Sequence, residues 1–108
     1  MPTIQTPDQE KIIQEATGRT ELQPPSMYAV VLLNDDYTPM DFVEDILMRF
    51  FSKNETQSQS ITMQVHNQGR GTCGIYPKDI AESKAFQVES YSRQHNHPLQ
   101  CVAEKSTP

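Results

Sequence analysis

The chain has 108 residues, enough for one domain, with 35% apolar residues and a formal net charge of −5. A pI near 5.0 argues against a nucleic-acid binder that works by neutralising phosphates. No apolar run approaches the roughly 18 residues that span a bilayer, and the N-terminus lacks the basic and apolar stretches of a signal peptide, so a cytoplasmic protein is expected.

In chain order, the sequence begins with a polar tail. Residues 1–26 hold six apolar residues (Met1, Ile4, Ile12, Ile13, Ala16, Leu22) and four of the eight prolines. Such a stretch buries too little apolar surface to offset its ordering entropy, so a disordered extension is expected. Pro24-Pro25 separates it from the domain that follows. Residues 27–33 (MYAVVLL) are apolar throughout and stop at Asn34-Asp35-Asp36, the pattern of a buried strand. Thr38 is placed to cap a helix, with Pro39 at its first position and Asp41 three residues after the cap. Met40, Val43, Ile46, Leu47, Phe50 and Phe51 recur at helical spacing, which predicts a helix to about Phe51.

A second helix is predicted from Asn54, with Gln57 at the matching cap position and Gly69 as its stop. It is mostly polar; Ile61, Val65 and Met63 are its candidates for a core. Thr72–Tyr76 reads as a strand, and Pro77 with Asp79 opens a third helix striped by Ala81, Ala85, Val88 and Tyr91. That helix ends near His95, because Pro98 holds His97 extended. Leu99–Ala103 is the last strand of a core taken as residues 27–105, and residues 106–108 form a short polar end. The order β-α-α-β-α-β predicts an α+β fold, a three-stranded antiparallel sheet packed on three helices.

The loop from Asn34 to Pro39 lies between a buried strand and a helix, where binding groups tend to sit. Residues 34–45 carry five acids (Asp35, Asp36, Asp41, Glu44, Asp45) and no base, which suits a positively charged partner. The same acids also suit a turn and a helix N-terminus, so spacing alone leaves both readings open. The calcium-loop pattern is absent. His66, near the end of the second helix, reads either as a surface or half-buried histidine with a structural bond or as a general base. No Ser or Cys stands in a nucleophile motif, which leaves a small His/Asp-dependent hydrolase acting on peptides as the alternative to a binding protein. Cys73 and Cys101 read as buried small hydrophobes. His66, His95 and His97 have no zinc-ligand spacing, so neither metal nor cofactor is expected. Gly69-Arg70-Gly71 reads as a turn, since no helix start follows to make a phosphate loop.

The runs MYAVVLLNDDYTPMDFVEDIL, VHNQGRGTCGIY and HPLQCVAEK resemble the ClpS family, small adaptors of the bacterial ClpA–ClpP protease in the N-end rule pathway. The resemblance covers Pro25 to Lys105. It implies that Asn34 and His66 accept hydrogen bonds from the α-amino group of a substrate's first residue. Asp35 and Asp36 would act beside them through charge and water. Thr38, Met40, Val43, Val65 and Leu99 would line a pocket for the first side chain, with Met40 shaping its mouth against β-branched residues. Position 62 is often Met in the family's pocket wall; here it is Thr62, with Met63 beside it, which bears on the choice between Leu and aromatic residues. Asp79, where the family often has Glu, and Lys84 would belong to a patch that docks on the N-terminal domain of ClpA. The implied function is that of a non-enzymatic, monomeric adaptor. It would bind N-terminal Leu, Phe, Tyr or Trp and deliver the substrate to ClpA for degradation by ClpAP, modulating substrate choice. The chemistry is consistent with this, because an ammonium has three N–H donors. An amide oxygen, a neutral imidazole nitrogen and a carboxylate-held water supply three acceptors.

Overall fold

The computed structural model describes residues 26–106, so the expected extension lies outside the described residues up to Pro25. Strand β1 (Met27–Leu33) is central in a three-stranded sheet, with β2 (Arg70–Pro77) on one side and β3 (Gln100–Lys105) on the other. Both pairings are antiparallel: Leu32 lies opposite Gly71 on β2 and Cys101 on β3. Helices α1 (Met40–Phe51) and α2 (Glu55–Gln68) join β1 to β2, and α3 (Lys78–Gln94) carries the chain to β3. The order β-α-α-β-α-β and the antiparallel sheet are those expected from the sequence. Strand β2 begins at Arg70 rather than Thr72, because Arg70 and Gly71 find partners in Leu33 and Leu32 that no local pattern announces.

Side chains alternate across a strand, so Val30 and Leu32 face the helices while Val31 faces away. Val30 and Leu32 enter a core with Val43, Ile46, Leu47 and Phe51 of α1, Val65 of α2, and Ala81, Ala85 and Val88 of α3. Val31 is also buried, although it points to the opposite face. Arg70, paired with Leu33, forms an ion pair with Glu104, paired with Ala29, so the bridge spans β1 at the level of Val31. Long charged side chains cover apolar surface with their stems in this way. The β1–β2 register shifts between Val30 and Val31, which leaves Cys73 unpaired in a bulge. Cys73 and Cys101 are both buried, and burial pushes the Cys73 thiol up to about 12. The Glu89 carboxylate of α3 accepts the Cys101 backbone N–H at 2.9 Å and fastens β3 to that helix.

One expected helix start is found as expected and another is not. Asn54 and Gln57 form the full capping box on α2, with bonds of 2.8 and 3.0 Å. Thr38 is not the cap of α1: Pro39 holds that position, without a side-chain bond. The Thr38 hydroxyl donates instead to Asp35, a stronger acceptor than it would be itself. Helix α2 buries Ser58, Thr62 and Val65, while Met63 is exposed. Met63 therefore does not join the core as expected, because the helix is rotated to present 58, 62 and 65 inward.

Candidate functional site

The loop between β1 and α1 and the last turns of α2 meet at one end of the molecule. The Asn34 N–H donates to the Gly69 carbonyl at 2.9 Å and ties the loop to the end of α2. Gly69 has φ +88°, the left-handed conformation that stops a helix, and its own N–H returns to Val65 at 2.9 Å. Gly71 lies so close to α2 that a Cβ would meet Val65 Cγ2 at 2.8 Å. A larger residue at 71 would force the Val65 side chain, which lines the site described below, to shift.

Asp35 organises the loop itself. Its Oδ1 accepts the backbone N–H groups of Tyr37 and Thr38, both at 2.8 Å, and its Oδ2 accepts the Thr38 hydroxyl at 2.7 Å. This is the side-chain-to-backbone turn that Asp favours. The side chains of Asn34, Asp36 and His66 make no hydrogen bond among the described residues. The neighbouring acids thus differ in kind: Asp35 is committed to the backbone, whereas Asp36 is exposed and available.

Between the loop, α1 and α2 lies a cavity of about 260 Å³. At about 30 Å³ per water, that is room for one bulky side chain. Asn34, Asp35, Asp36 and His66 border it, and Thr38, Pro39, Met40, Val43, Thr62 and Val65 complete its wall. Burial orders these residues from mouth to bottom. Asn34, Asp36, His66 and Met40 are exposed, whereas Val43, Thr62 and Val65 are 5%, 2% and 3% exposed. Among the described residues the site has free hydrogen-bond acceptors at its mouth, a bottom of two valines and Thr62, and no Lys or Arg in its lining. It suits a small group that carries a positive charge next to an apolar side chain. Among the described residues no group of three His, Cys, Asp or Glu is placed to hold a metal.

Nine of the ten residues expected at the amine site and pocket line this cavity. Leu99 does not. It is 1% exposed within the main core, beside Cys101 and the helices rather than on the cavity wall. Pro39 lines the cavity without having been anticipated; its place between Thr38 and Met40 was the available signal. Asp79 and Lys84 lie on α3, away from the cavity. Asp79 is exposed, but Lys84 is half-buried, and its Nζ donates to the Phe50 carbonyl at the end of α1 at 3.0 Å. The same ammonium sits 5.8 Å from the Phe51 ring centre and 5.4 Å from that of Tyr76.

The family model "ATP-dependent Clp protease adaptor protein ClpS" matches residues 23–102. The chain belongs to the ClpS family. The ClpS adapter of Hydrogenovibrio crunogenus is 49% identical over 98 residues, 91% of this chain and 94% of that protein. The ClpS adapter of Shewanella denitrificans is 55% identical over 87 residues, 81% of this chain and 85% of that one. Among solved structures, that of Agrobacterium tumefaciens ClpS2 bound to L-phenylalaninamide superimposes with a TM-score of 0.75 at 34% identity. The match covers 77% of this chain and all of that one. As a ClpS-family protein, the chain is an adaptor of the ATP-dependent Clp protease. None of its described helices is long and apolar enough to cross a membrane.

Proposed function

We propose that this adaptor captures proteins by a free α-amino group and a bulky hydrophobic first side chain, Leu, Phe, Tyr or Trp. The observation that carries this reading is the cavity with acceptors at its mouth that are unpaired among the described residues, and with Val43 and Val65 at its bottom. The amine sits between Asn34 and His66 with Asp36 alongside, and the side chain enters the cavity. Asp35 serves this site by holding the loop. The structural relative supports the reading: L-phenylalaninamide has a free amino group, a benzyl side chain and an amide in place of the next peptide bond. An internal residue offers neither the charge nor the free end.

Burying a Leu or Phe side chain contributes about 1.5–3 kcal/mol, and each charge-assisted hydrogen bond about as much. After the loss of translational freedom, a dissociation constant on the order of micromolar follows. The captured protein is passed to the N-terminal domain of a ClpA-type unfoldase through the face of α3 that carries Asp79 and Lys84. Residues 1–26 take part in the hand-over, residues 27–105 do the binding, and residues 106–108 do neither. The adaptor acts in the cytoplasm as a monomer and chemically changes nothing.

The test is a titration with peptides that differ only in residue one, free or acetylated at the N-terminus. Binding of free Phe-initiated peptide is expected, with recovery of the peptide intact and loss on acetylation. Asn34→Ala and His66→Ala are each expected to weaken it by about 1–3 kcal/mol. Equal binding of acetylated peptide, or a cleavage product that depends on His66, would overturn the reading.

A further inference from the structure

Two side-chain hydroxyls of α2, those of Ser58 and Thr62, are buried without a hydrogen-bond partner. Only Thr62 also lines the cavity. Ser58, Thr62 and His66 follow one another at intervals of one helical turn. Thr62 is therefore about 5–6 Å from His66, toward the bottom of the cavity, with Val65 beside it. Threonine in a helix divides between two χ1 rotamers, because its hydroxyl usually bonds a preceding carbonyl. Here no such bond holds it. The oxygen is closed off from solvent as the side chain stands, so a ligand in the cavity pairs with it by a turn about χ1, which no existing hydrogen bond opposes.

We propose that Thr62 makes the cavity selective for a hydroxyl on the ring of the first residue, so that N-terminal Tyr binds better than N-terminal Phe. This rests on the reading that the site takes an N-terminal residue. With the α-amino group held at His66, a ring entering along α2 carries its para substituent past the level of Thr62. A phenol both donates and accepts, so it pairs with the Thr62 hydroxyl in either orientation. Phe fills the same space and leaves that hydroxyl unpaired. That hydroxyl is unpaired before binding as well, so the discrimination is the bond that Tyr gains and Phe cannot supply.

The experiment is a titration of otherwise identical Tyr- and Phe-initiated peptides against the full chain, Thr62→Val and Thr62→Ser. The expected result is a preference for Tyr of about threefold to tenfold in the full chain. It should be kept in Thr62→Ser and lost in Thr62→Val, read as the ratio of Tyr to Phe affinity within each protein. A thermal melting curve of each variant reports that it is folded. Equal affinities for the two peptides in the full chain, or a Tyr preference that survives Thr62→Val, would overturn the role of Thr62 while leaving N-terminal recognition standing. Failure of both peptides to bind the full chain would overturn the recognition itself.

Discussion

Asp35 offers a substitution that separates charge from architecture. Its carboxylate accepts three hydrogen bonds, at 2.8, 2.8 and 2.7 Å, all from its own loop. Asp35→Ala removes the acceptor of all three. A charged acceptor contributes about 1.5–3 kcal/mol per bond when buried. Asp35 is only half-buried, and water replaces part of what is lost, so a total near 1–3 kcal/mol is reasonable. If that energy holds Asn34 in place, peptide affinity falls by about fivefold to 150-fold. Asp35→Asn keeps an oxygen for the Tyr37 and Thr38 N–H groups, and its amide nitrogen can donate to the Thr38 hydroxyl in the reverse sense. The charge is gone but the loop stands, and the loss should stay below about threefold, because solvent and salt screen part of a half-buried charge. Anisotropy titration with a Phe-initiated peptide measures the affinities. Amide hydrogen exchange at Tyr37 and Thr38 reports the loop directly, with faster exchange expected in the Ala variant alone. Equal loss of affinity in the two variants, with exchange unchanged in both, would show that Asp35 acts through its charge and not as a brace.

Other outcomes follow from the same geometry. Thr62→Met should improve Leu binding relative to Phe by about 1 kcal/mol, because Met63 is 45% exposed and cannot fill the cavity in its place; an unchanged Leu-to-Phe ratio in peptide titration would count against it. Ser58→Ala should leave stability to chemical denaturation unchanged or raise it by up to about 1 kcal/mol, since its buried hydroxyl has no partner to lose. Burial raises both thiols above their ordinary value of 9.0, Cys73 to about 12. Below pH 9 the folded and unfolded chains bind the same thiol protons. Above it the unfolded chain loses them first, so stability should fall by about 1.4 kcal/mol per pH unit for each thiol until the folded thiols also ionise; replacing both cysteines with alanine should flatten that slope. Lys84→Gln should destabilise the domain by about 1 kcal/mol, because its ammonium already holds the Phe50 carbonyl; a docking assay on this variant therefore needs a melting curve beside it.

What was legible in the sequence is local. The apolar run of β1 and the Asn54–Gln57 box are complete within a few residues, and the structure has both. Thr38 shows where local reading stops. Thr at a helix start is a good cap, yet a carboxylate three residues earlier competes for its hydroxyl and wins. Helix α2 shows a second limit. With Ile61, Met63 and Val65 as its only large apolar residues, periodicity does not determine its rotation, and packing against α1 and β2 turned Ser58 and Thr62 inward instead of Met63. Leu99 is a third case, since no spacing tells whether a buried residue near a site touches the cavity or the core behind it.

The bond from the Asn34 N–H to the Gly69 carbonyl has a consequence for kinetics. It joins the two jaws of the site, one from a loop and one from a helix, within the backbone itself and without any ligand. On the proposed reading, a chain end meets jaws already joined to each other, so encounter is governed by diffusion and by orientation of that end. On that reading, discrimination among chain ends would fall on residence time, which the contacts inside the cavity set.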